Sequence, residues 1–361
     1  MKKILIMAGG TGGHVFPGLA VADELSKGED PWEVLWLGTR ERMEADLVPR
    51  HGYPIEFIKV QGIRRNGFMR KLLSPFMILR AVAEAFSLIR KFRPDVVLGM
   101  GGYASGPGGL AARLLGIPLV LHEQNAAPGM TNRMLSHIAG KVLLGFPGAI
   151  NKKGAEFVGN PVRKAIKDLH DELPKDFSGE KLQVLVVGGS LGAQALNERV
   201  PGAVKKALDA GAKIEIFHQT GKGNSAGVRD LYASLGVPET VYQVSDFIDD
   251  MAAAYRSHHL IVCRAGALTA AEIGASGMPA IFVPLPTAVD DHQTKNARSF
   301  SDNGAGITMP QPELTEESLS KYFLDFAEHR EKLAAISEKA QSQTRLDAAA
   351  EIAAICRSSA K

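Results

Sequence analysis

The chain has two cysteines, Cys263 and Cys356, in 361 residues. They supply neither a disulfide framework nor metal-ligand spacing, and a reducing compartment is expected. No apolar run approaches the roughly 18 residues of a membrane span. The start, MKKILIMAGG, has about five apolar residues before its glycines, too few for a secretory core. A cytoplasmic protein is therefore predicted. The glycine-rich GGTGGH (Gly9 to His14) lacks the dinucleotide spacing, and the second strand ends in Gly38, Thr39 and Arg40 where an NAD site wants an acid for the ribose diol. A hydride-transfer enzyme is disfavoured. No G-x-x-x-x-G-K-[ST] occurs, which argues against a P-loop NTPase, and HEQN (His122 to Asn125) lacks the second histidine of a zinc H-E-x-x-H. No Ser-His-Asp set or close carboxylate pair stands out.

Two similar stretches are present. KILIMAGGTGGHVFPG begins at Lys3, and LQVLVVGGSLGAQALN begins at Leu182, about 180 residues later. Each is a short apolar strand, a glycine-rich turn and a helix start. Glycines there let a ligand approach the backbone, and a helix N-terminus offers unpaired N–H groups to an anion. Around these turns the chain alternates strands and helices, the rhythm of parallel sheets covered on both faces. The length suits two α/β domains. We expect two doubly wound Rossmann-like domains, 1–160 and 161–344, sharing a cleft, with a last helix in about 345–361 folding back onto the first. Pro17, Pro75 and Pro107 suit first helical turns, Ser74 suits an N-cap, and Thr315 can cap a helix running to about Ala340.

Several motifs admit two readings. Four glycines in the five residues Gly9 to Gly13 serve either packing or a ligand, and their conformational cost favours the ligand. His14 lies at that turn, before a helix N-terminus whose positive end disfavours imidazolium. It is either a general base or a structural histidine bonded to a carbonyl. Ser190 is an N-cap or part of an anion site. Thr269 and Glu272 match a capping box, although a carboxylate there also suits a ribose diol; taken alone, the capping box is the stronger reading. HEQN ends a strand and can project polar groups into a cleft. The acid pairs Asp249–Asp250 and Asp290–Asp291 suggest a metal only weakly, and FIDDM reads better as a helix start. No metal and no cofactor is expected.

Net charge is +3 but uneven: from Lys59 to Arg93 nine basic residues face one acid, Glu84. Residues 62–80 interleave this charge with aliphatic side chains. They read as a buried helix beside a solvated basic loop, or as a surface for an anionic membrane. No nucleic-acid module accompanies the charge, so no nucleic-acid partner is expected.

Together MAGGTGGHVFPGLAVA, GTRERMEADLVP, PDVVLGMGGYASGPGGLAA, LHEQN, GNPVR, VLVVGGSLGA, FIDDMAAAY and CRAGALTAAE with PAIFVPLP closely resemble the bacterial cell-wall glycosyltransferases of family 28, along nearly the whole chain. The resemblance implies a GT-B fold without a catalytic metal. It also implies inverting transfer of N-acetylglucosamine (GlcNAc) from UDP-GlcNAc to the C4 hydroxyl of the muramyl sugar of undecaprenyl-pyrophosphoryl-MurNAc-pentapeptide (lipid I). The product is lipid II, for peptidoglycan synthesis at the cytoplasmic face of the inner membrane.

By the same resemblance His14 is the candidate base, and Thr11, Gly12 and Gly13 line the donor site. Asn125 contacts GlcNAc hydroxyls, Arg163 and Ser190 the nucleotide and its diphosphate, and Ile248 the uracil edge. Ala267, Leu268, Thr269, Ala270, Ala271 and Glu272 face the diphosphate, with Glu272 on the ribose. Gln293 contacts the donor sugar, in a His292-Gln293 pair where the family often has Gln-Gln, after a loop one residue longer. Cell-wall synthesis proteins are conceivable partners. Rival readings are a UDP-GlcNAc 2-epimerase-like enzyme, which needs no basic apolar patch, and a non-enzymatic sugar-nucleotide-binding subunit, which tolerates loss of His14.

Overall fold

The computed structural model describes residues 1–27, 30–60 and 68–361, and for 68–75 only the course of the backbone. The chain forms two compact units, Met1–Val162 with Arg345–Lys361, and Arg163–Thr344.

The first unit holds seven parallel strands: β1 (Lys3–Ala8), β2 (Glu33–Gly38), β3 (Ile55–Phe57), β4 (Val96–Gly101), β5 (Leu119–Glu123), β6 (Lys141–Leu144) and β7 (Ala155–Phe157), in the order β3-β2-β1-β4-β5-β6-β7. Its helices are α1 (Gly12–Ser26), α2 (Glu44–Arg50), α3 (Phe68–Phe92), α4 (Ser105–Leu114) and α5 (Met130–Leu135). Successive side chains of β1 point to opposite faces, and both faces are covered, which is why the strand is apolar throughout. Ile4, Ile6 and Ala8 join Val15, Leu19 and Trp36, while Leu5 and Met7 join Ile89, Ala111 and Leu121. Gly18 makes room for the indole of Trp36, since a Cβ there would lie 2.6 Å from the ring. The indole N–H donates to Ala8 O at 2.7 Å.

The second unit repeats the plan with β8 (Leu182–Val187), β9 (Ile214–Gln219), β10 (Tyr242–Ser245), β11 (Leu260–Cys263), β12 (Ala280–Phe282) and β13 (Ile307–Thr308), all parallel in the order β10-β9-β8-β11-β12-β13. Its helices are α6 (Lys164–Lys167), α7 (Gln194–Asp209), α8 (Ser225–Ser234), α9 (Met251–Ser257), α10 (Ala267–Ser276), α11 (His292–Ser301), α12 (Glu316–Glu328) and α13 (Arg330–Ser342). The final helix, α14 (Ala348–Ser359), belongs to the first unit and inserts Ile352, Ala353 and Cys356 beside α1.

Several expected helix boundaries shift. α1 starts at Gly12 and α3 at Phe68, so Pro17, Ser74 and Pro75 fall inside helices, while Pro107 keeps its first-turn place in α4. Thr315 caps α12 in a reciprocal box with Ser318, but the helix stops at Glu328 and restarts as α13, because His329 leaves helical geometry at φ −121° and ψ 72°. Asp250 caps α9 by accepting from the Ala253 N–H at 2.9 Å, which bears out FIDDM as a helix start. Among the described residues no helix is long and apolar enough to cross a membrane.

Candidate active site

In an open parallel sheet, ligands bind beyond the carboxyl ends of the strands where the strand order reverses. In the first unit that point lies between β1 and β4, and in the second between β8 and β11. Both glycine-rich turns stand there.

In the first unit the turn after β1 packs backbone on backbone against the end of β4. Gly9 N donates to Gly101 O at 3.3 Å. Gly102 has φ +92°, and a Cβ on it would overlap the Gly9 backbone. These are positions where only glycine fits. Thr11 precedes α1, and its carbonyl accepts from the N–H groups of His14 (3.0 Å) and Val15 (3.2 Å). The Gly12 and Gly13 N–H groups, one and two places into the helix, have no acceptor four residues back within it. The His14 ring lies against Gly101, and its Nδ1 is 3.1 Å from Gly9 O. A carbonyl only accepts, so Nδ1 carries the proton, and in the neutral ring Nε2 bears the lone pair.

HEQN is mostly internal, contrary to the expectation that it projects into a cleft. His122, Glu123 and Gln124 are buried, because β5 is a central strand and the Gly159–Asn160 turn closes over its end. His122 Nε2 donates to Gly159 O at 2.8 Å, leaving Nδ1 to accept from Gln124 Nε2 at 3.1 Å. Burial pushes this imidazole down to about 4, so it stays neutral. Asn160 Nδ2 donates to Gln124 O at 2.9 Å. Glu123 accepts from Asn125 N (2.9 Å), Asn125 Nδ2 (3.3 Å), Gly129 N (3.2 Å) and Asn132 Nδ2 (2.9 Å). Burial raises its carboxyl above the usual range against these bonds. Asn125 alone of the four reaches a half-buried position, with its orientation set by Glu123.

In the second unit Ser190 is exposed in the turn after β8 and does not cap α7, whose N-cap is Ala193. The turn runs three residues further because Gly192, at φ +78°, tucks against Thr220 O. Gln219 knits the neighbouring turns together, accepting from Gly189 N at 3.0 Å and donating to Gly189 O at 3.0 Å and Asp246 O at 2.7 Å. Asp246 accepts from Gly223 N at 2.7 Å and Ser225 N at 2.9 Å. These N–H groups lower its carboxyl below the usual range. Ile248 follows two residues later and is buried.

The capping box at α10 is not formed. The N-cap is Gly266, so Thr269 lies inside the helix and Glu272 is free of backbone capping. Ala267 and Ala270 turn their side chains into the core. The Ala270 N–H is spent on Gly266 O at 2.9 Å, and helical bonding uses that of Ala271. The N–H groups without an acceptor four residues back inside the helix are therefore those of Ala267, Leu268 and Thr269.

Glu272 instead meets Arg163, which caps α6: Nε and Nη2 both donate to Oε1 at 2.8 Å. Oε2 accepts from Tyr255 OH at 3.3 Å. Burial raises the Glu272 carboxyl and Arg163 opposes the rise. Burial, then the Glu272 charge, holds the Tyr255 hydroxyl protonated. Gln293, in the first turn of α11, accepts from Leu285 N at 3.0 Å and so fixes the preceding loop. Asp290 and Asp291 there take left-handed φ of 55° and 53°. Among the described residues no group of three or more His, Cys, Asp or Glu side chains is placed to hold a metal ion.

Sequence reasoning missed Glu44, Gln219 and Tyr255. Glu44 had a signal in the vacant acid position at Gly38–Arg40: its carboxylate returns to that turn, accepting from Thr39 N at 3.0 Å and Thr39 Oγ1 at 2.7 Å. It is 1% exposed and so is not offered to a ribose diol.

Two glycine turns, each at the switch point of a parallel sheet, define two Rossmann-like units of the nucleotide-binding type. Residues 4–144 match the N-terminal domain of glycosyltransferase family 28 and residues 183–352 its C-terminal domain, and the chain belongs to this family. It is 53% identical, over 99% of both chains, to the UDP-N-acetylglucosamine–N-acetylmuramyl-(pentapeptide) pyrophosphoryl-undecaprenol N-acetylglucosamine transferase of Tolumonas auensis. It is 52% identical to the transferase of the same name from Shewanella frigidimarina, over 99% of this chain and 97% of that one. The crystal structure of Acinetobacter baumannii MurG superimposes with a TM-score of 0.85 at 42% identity, covering 99% of this chain and 100% of that one. A UDP-N-acetylglucosamine 2-epimerase of known crystal structure shares the fold at 16% identity, with a TM-score of 0.64 over 97% of this chain and 94% of that one.

Proposed function

We propose that this chain transfers GlcNAc from UDP-GlcNAc to lipid I, forming lipid II for the cell wall. The observation that carries this reading is 53% identity along the whole chain to a transferase of that name. The epimerase reading rests on fold alone, at 16% identity.

The chemistry follows from the residues. His14 Nε2 takes the proton of the acceptor C4 hydroxyl as its oxygen attacks the anomeric carbon, opposite the departing diphosphate, and inversion results. Charge grows on the UDP leaving group. The α10 N–H groups of Ala267, Leu268 and Thr269, together with Arg163 and Ser190, are suited to hold it. Glu272 is assigned to the ribose diol, Ile248 to uracil through its backbone, and Thr11, Gly12, Gly13 and Asn125 of the first unit and Gln293 of the second each to contacts with the sugars. Residues 1–160 take the acceptor and 161–344 the donor.

A lipid acceptor calls for a membrane-facing surface, and we assign it to the first unit at the cytoplasmic face of the inner membrane. Most of residues 62–80 lies outside the described residues or is described only in backbone. In the described part of α3, Phe76 (72%) and Leu79 (66%) are largely exposed beside Arg80. The helices packed in series with it, α4 and α5, expose Leu114 and Met134. Arg113 and Arg133 stand next to these and are exposed too. Replacing Phe76 and Leu79 together by Ser is expected to weaken co-sedimentation with phosphatidylglycerol vesicles about tenfold or more, because each side chain contributes about 1.5–3 kcal/mol when fully buried. Transfer to a short-chain soluble acceptor is expected to be unchanged. Undiminished vesicle binding would move the docking surface elsewhere.

The test of the function is transfer of radiolabelled GlcNAc from UDP-GlcNAc to a short-chain lipid I analogue, with and without EDTA. Labelled disaccharide-lipid is the expected product. UDP-ManNAc without disaccharide would establish the epimerase instead, and donor binding without either product would leave a binding subunit.

A further inference from the structure

Glu44 and Glu123 are the two carboxylates of the first unit buried to 2% exposure or less among the described residues. Glu123 serves its own loop, whereas Glu44 serves the glycine turn. It stands on the first residue of α2 and inserts between the turns that follow β1 and β2. A Cβ on Gly9 would lie 2.5 Å from its Oε1, and one on Gly38 would lie 2.7 Å from its Cγ. Its Oε2 accepts from Gly10 N at 2.9 Å.

That N–H belongs to the same peptide unit as the Gly9 carbonyl, and the carbonyl is what His14 Nδ1 touches at 3.1 Å. The contacts form one line: Glu44 carboxylate, the Gly9–Gly10 peptide, the His14 imidazole. A peptide is planar and rigid, so fixing its N–H fixes the direction of its C=O. A charged acceptor on the N–H also polarises the peptide and strengthens the C=O as an acceptor. A carboxylate bonded directly to an imidazole sets its tautomer and orientation in many sites. Here a peptide is interposed.

We propose that Glu44 is a positioning residue for the transfer reaction: through the Gly9–Gly10 peptide it holds His14 with Nδ1 protonated and Nε2 directed as the base. Thr39 completes the arrangement by holding the other carboxylate oxygen with its N–H and hydroxyl. The inference rests on the reading of His14 as the base.

The test uses the full chain, with variants Glu44→Gln, His14→Ala and the two combined. Glu44→Gln is expected to lower kcat about 10- to 100-fold, the range of orienting bonds on ligating histidines. UDP-GlcNAc affinity should stay within about twofold, because the effect runs through His14 alone. In the His14→Ala background Glu44→Gln should cost nothing further, since the two act as one unit. ¹⁵N NMR, with the His14 signal assigned by its loss in His14→Ala, should show the Nδ1–H tautomer in the parent and a shift towards Nε2–H in Glu44→Gln.

If Glu44→Gln costs the same factor in both backgrounds, or leaves the tautomer unchanged, Glu44 only braces the fold and the proposal fails. If Glu44→Gln does not fold, Thr39→Val retains the carboxylate and removes one of its bonds. The same directions are then expected with a smaller loss than Glu44→Gln gives, because the carboxylate stays and only one of its bonds is removed, and equal loss in both backgrounds again overturns the proposal. Full turnover by His14→Ala would sink the reading of the base itself. In that event the tautomer alone decides whether Glu44 orients the ring.

Discussion

Replacing His14 with Ala is expected to lower kcat about 10²- to 10⁴-fold, the usual contribution of a positioned general base. That corresponds to about 2.7–5.5 kcal/mol of barrier. UDP-GlcNAc affinity, measured by calorimetry, is expected to stay within about twofold. The split follows from the geometry. The His14 ring is anchored through Nδ1 on the Gly9 carbonyl, 3.1 Å away, so Nε2 is the nitrogen left with a lone pair. The ring also packs against Gly101, at the reversal of strand order where a parallel sheet gathers its ligand. The turn itself is held by backbone contacts, Gly9 N to Gly101 O and the close approach of Gly102, none of which uses the imidazole. Loss of the ring should therefore leave the glycine turn in place. Unchanged turnover with intact donor binding would remove His14 from the mechanism. Loss of both binding and turnover would make it a structural histidine, the other reading its position in the sequence allowed.

How much of this was legible depends on whether local pattern or distant contact decides each feature. The strands were legible. ILIMA and VLVVGG are apolar throughout because both faces of β1 and β8 are covered, and the parallel-sheet reading follows from that alone. The two glycine turns were legible as well, since closely spaced glycines after a strand signal backbone approach.

Helix starts were less so. Pro17 and Ser190 each suggested a boundary by local preference, but glycine permits the chain to begin α1 at Gly12 and to delay α7 until Gln194. Thr269 and Glu272 had the right spacing for a capping box, yet Gly266 takes the cap and the carboxylate faces Arg163, more than 100 residues earlier in the chain. Glu44 was visible as an acid but not as a partner of Gly10, because only folding brings β1 and β2 side by side. HEQN shows the limit most plainly. A polar run at a strand end reads as exposed, but a central strand covered by the Gly159–Asn160 turn makes it an internal network.

Glu272→Ala is expected to weaken UDP-GlcNAc binding about 10- to 150-fold, which corresponds to about 1.5–3 kcal/mol for hydrogen bonds to a charged group. The carboxylate is nearly enclosed, with 13% of its side chain exposed, and it ends in a fixed frame: Arg163 holds Oε1 at 2.8 Å through two donors, and Tyr255 reaches Oε2 at 3.3 Å. Such a carboxylate is already desolvated and oriented before a ribose arrives, so little ordering remains to oppose binding. Arg163 is half exposed, and water screens an ion pair of that kind. Loss of the pair itself should therefore cost the fold about 1 kcal/mol or less, and the buried Tyr255 hydroxyl left without this acceptor about 1–3 kcal/mol; a melting curve will separate these costs from the binding effect. A nucleotide cycle separates a ribose contact from general damage. The parent should bind 2′-deoxy-UDP more weakly than UDP, whereas Glu272→Ala should bind the two alike, because the group that tells them apart is gone. A variant that still prefers UDP by the parental factor would free Glu272 of any ribose role. The Arg163 pair would then be its whole function, joining α6 to α10 inside the second unit.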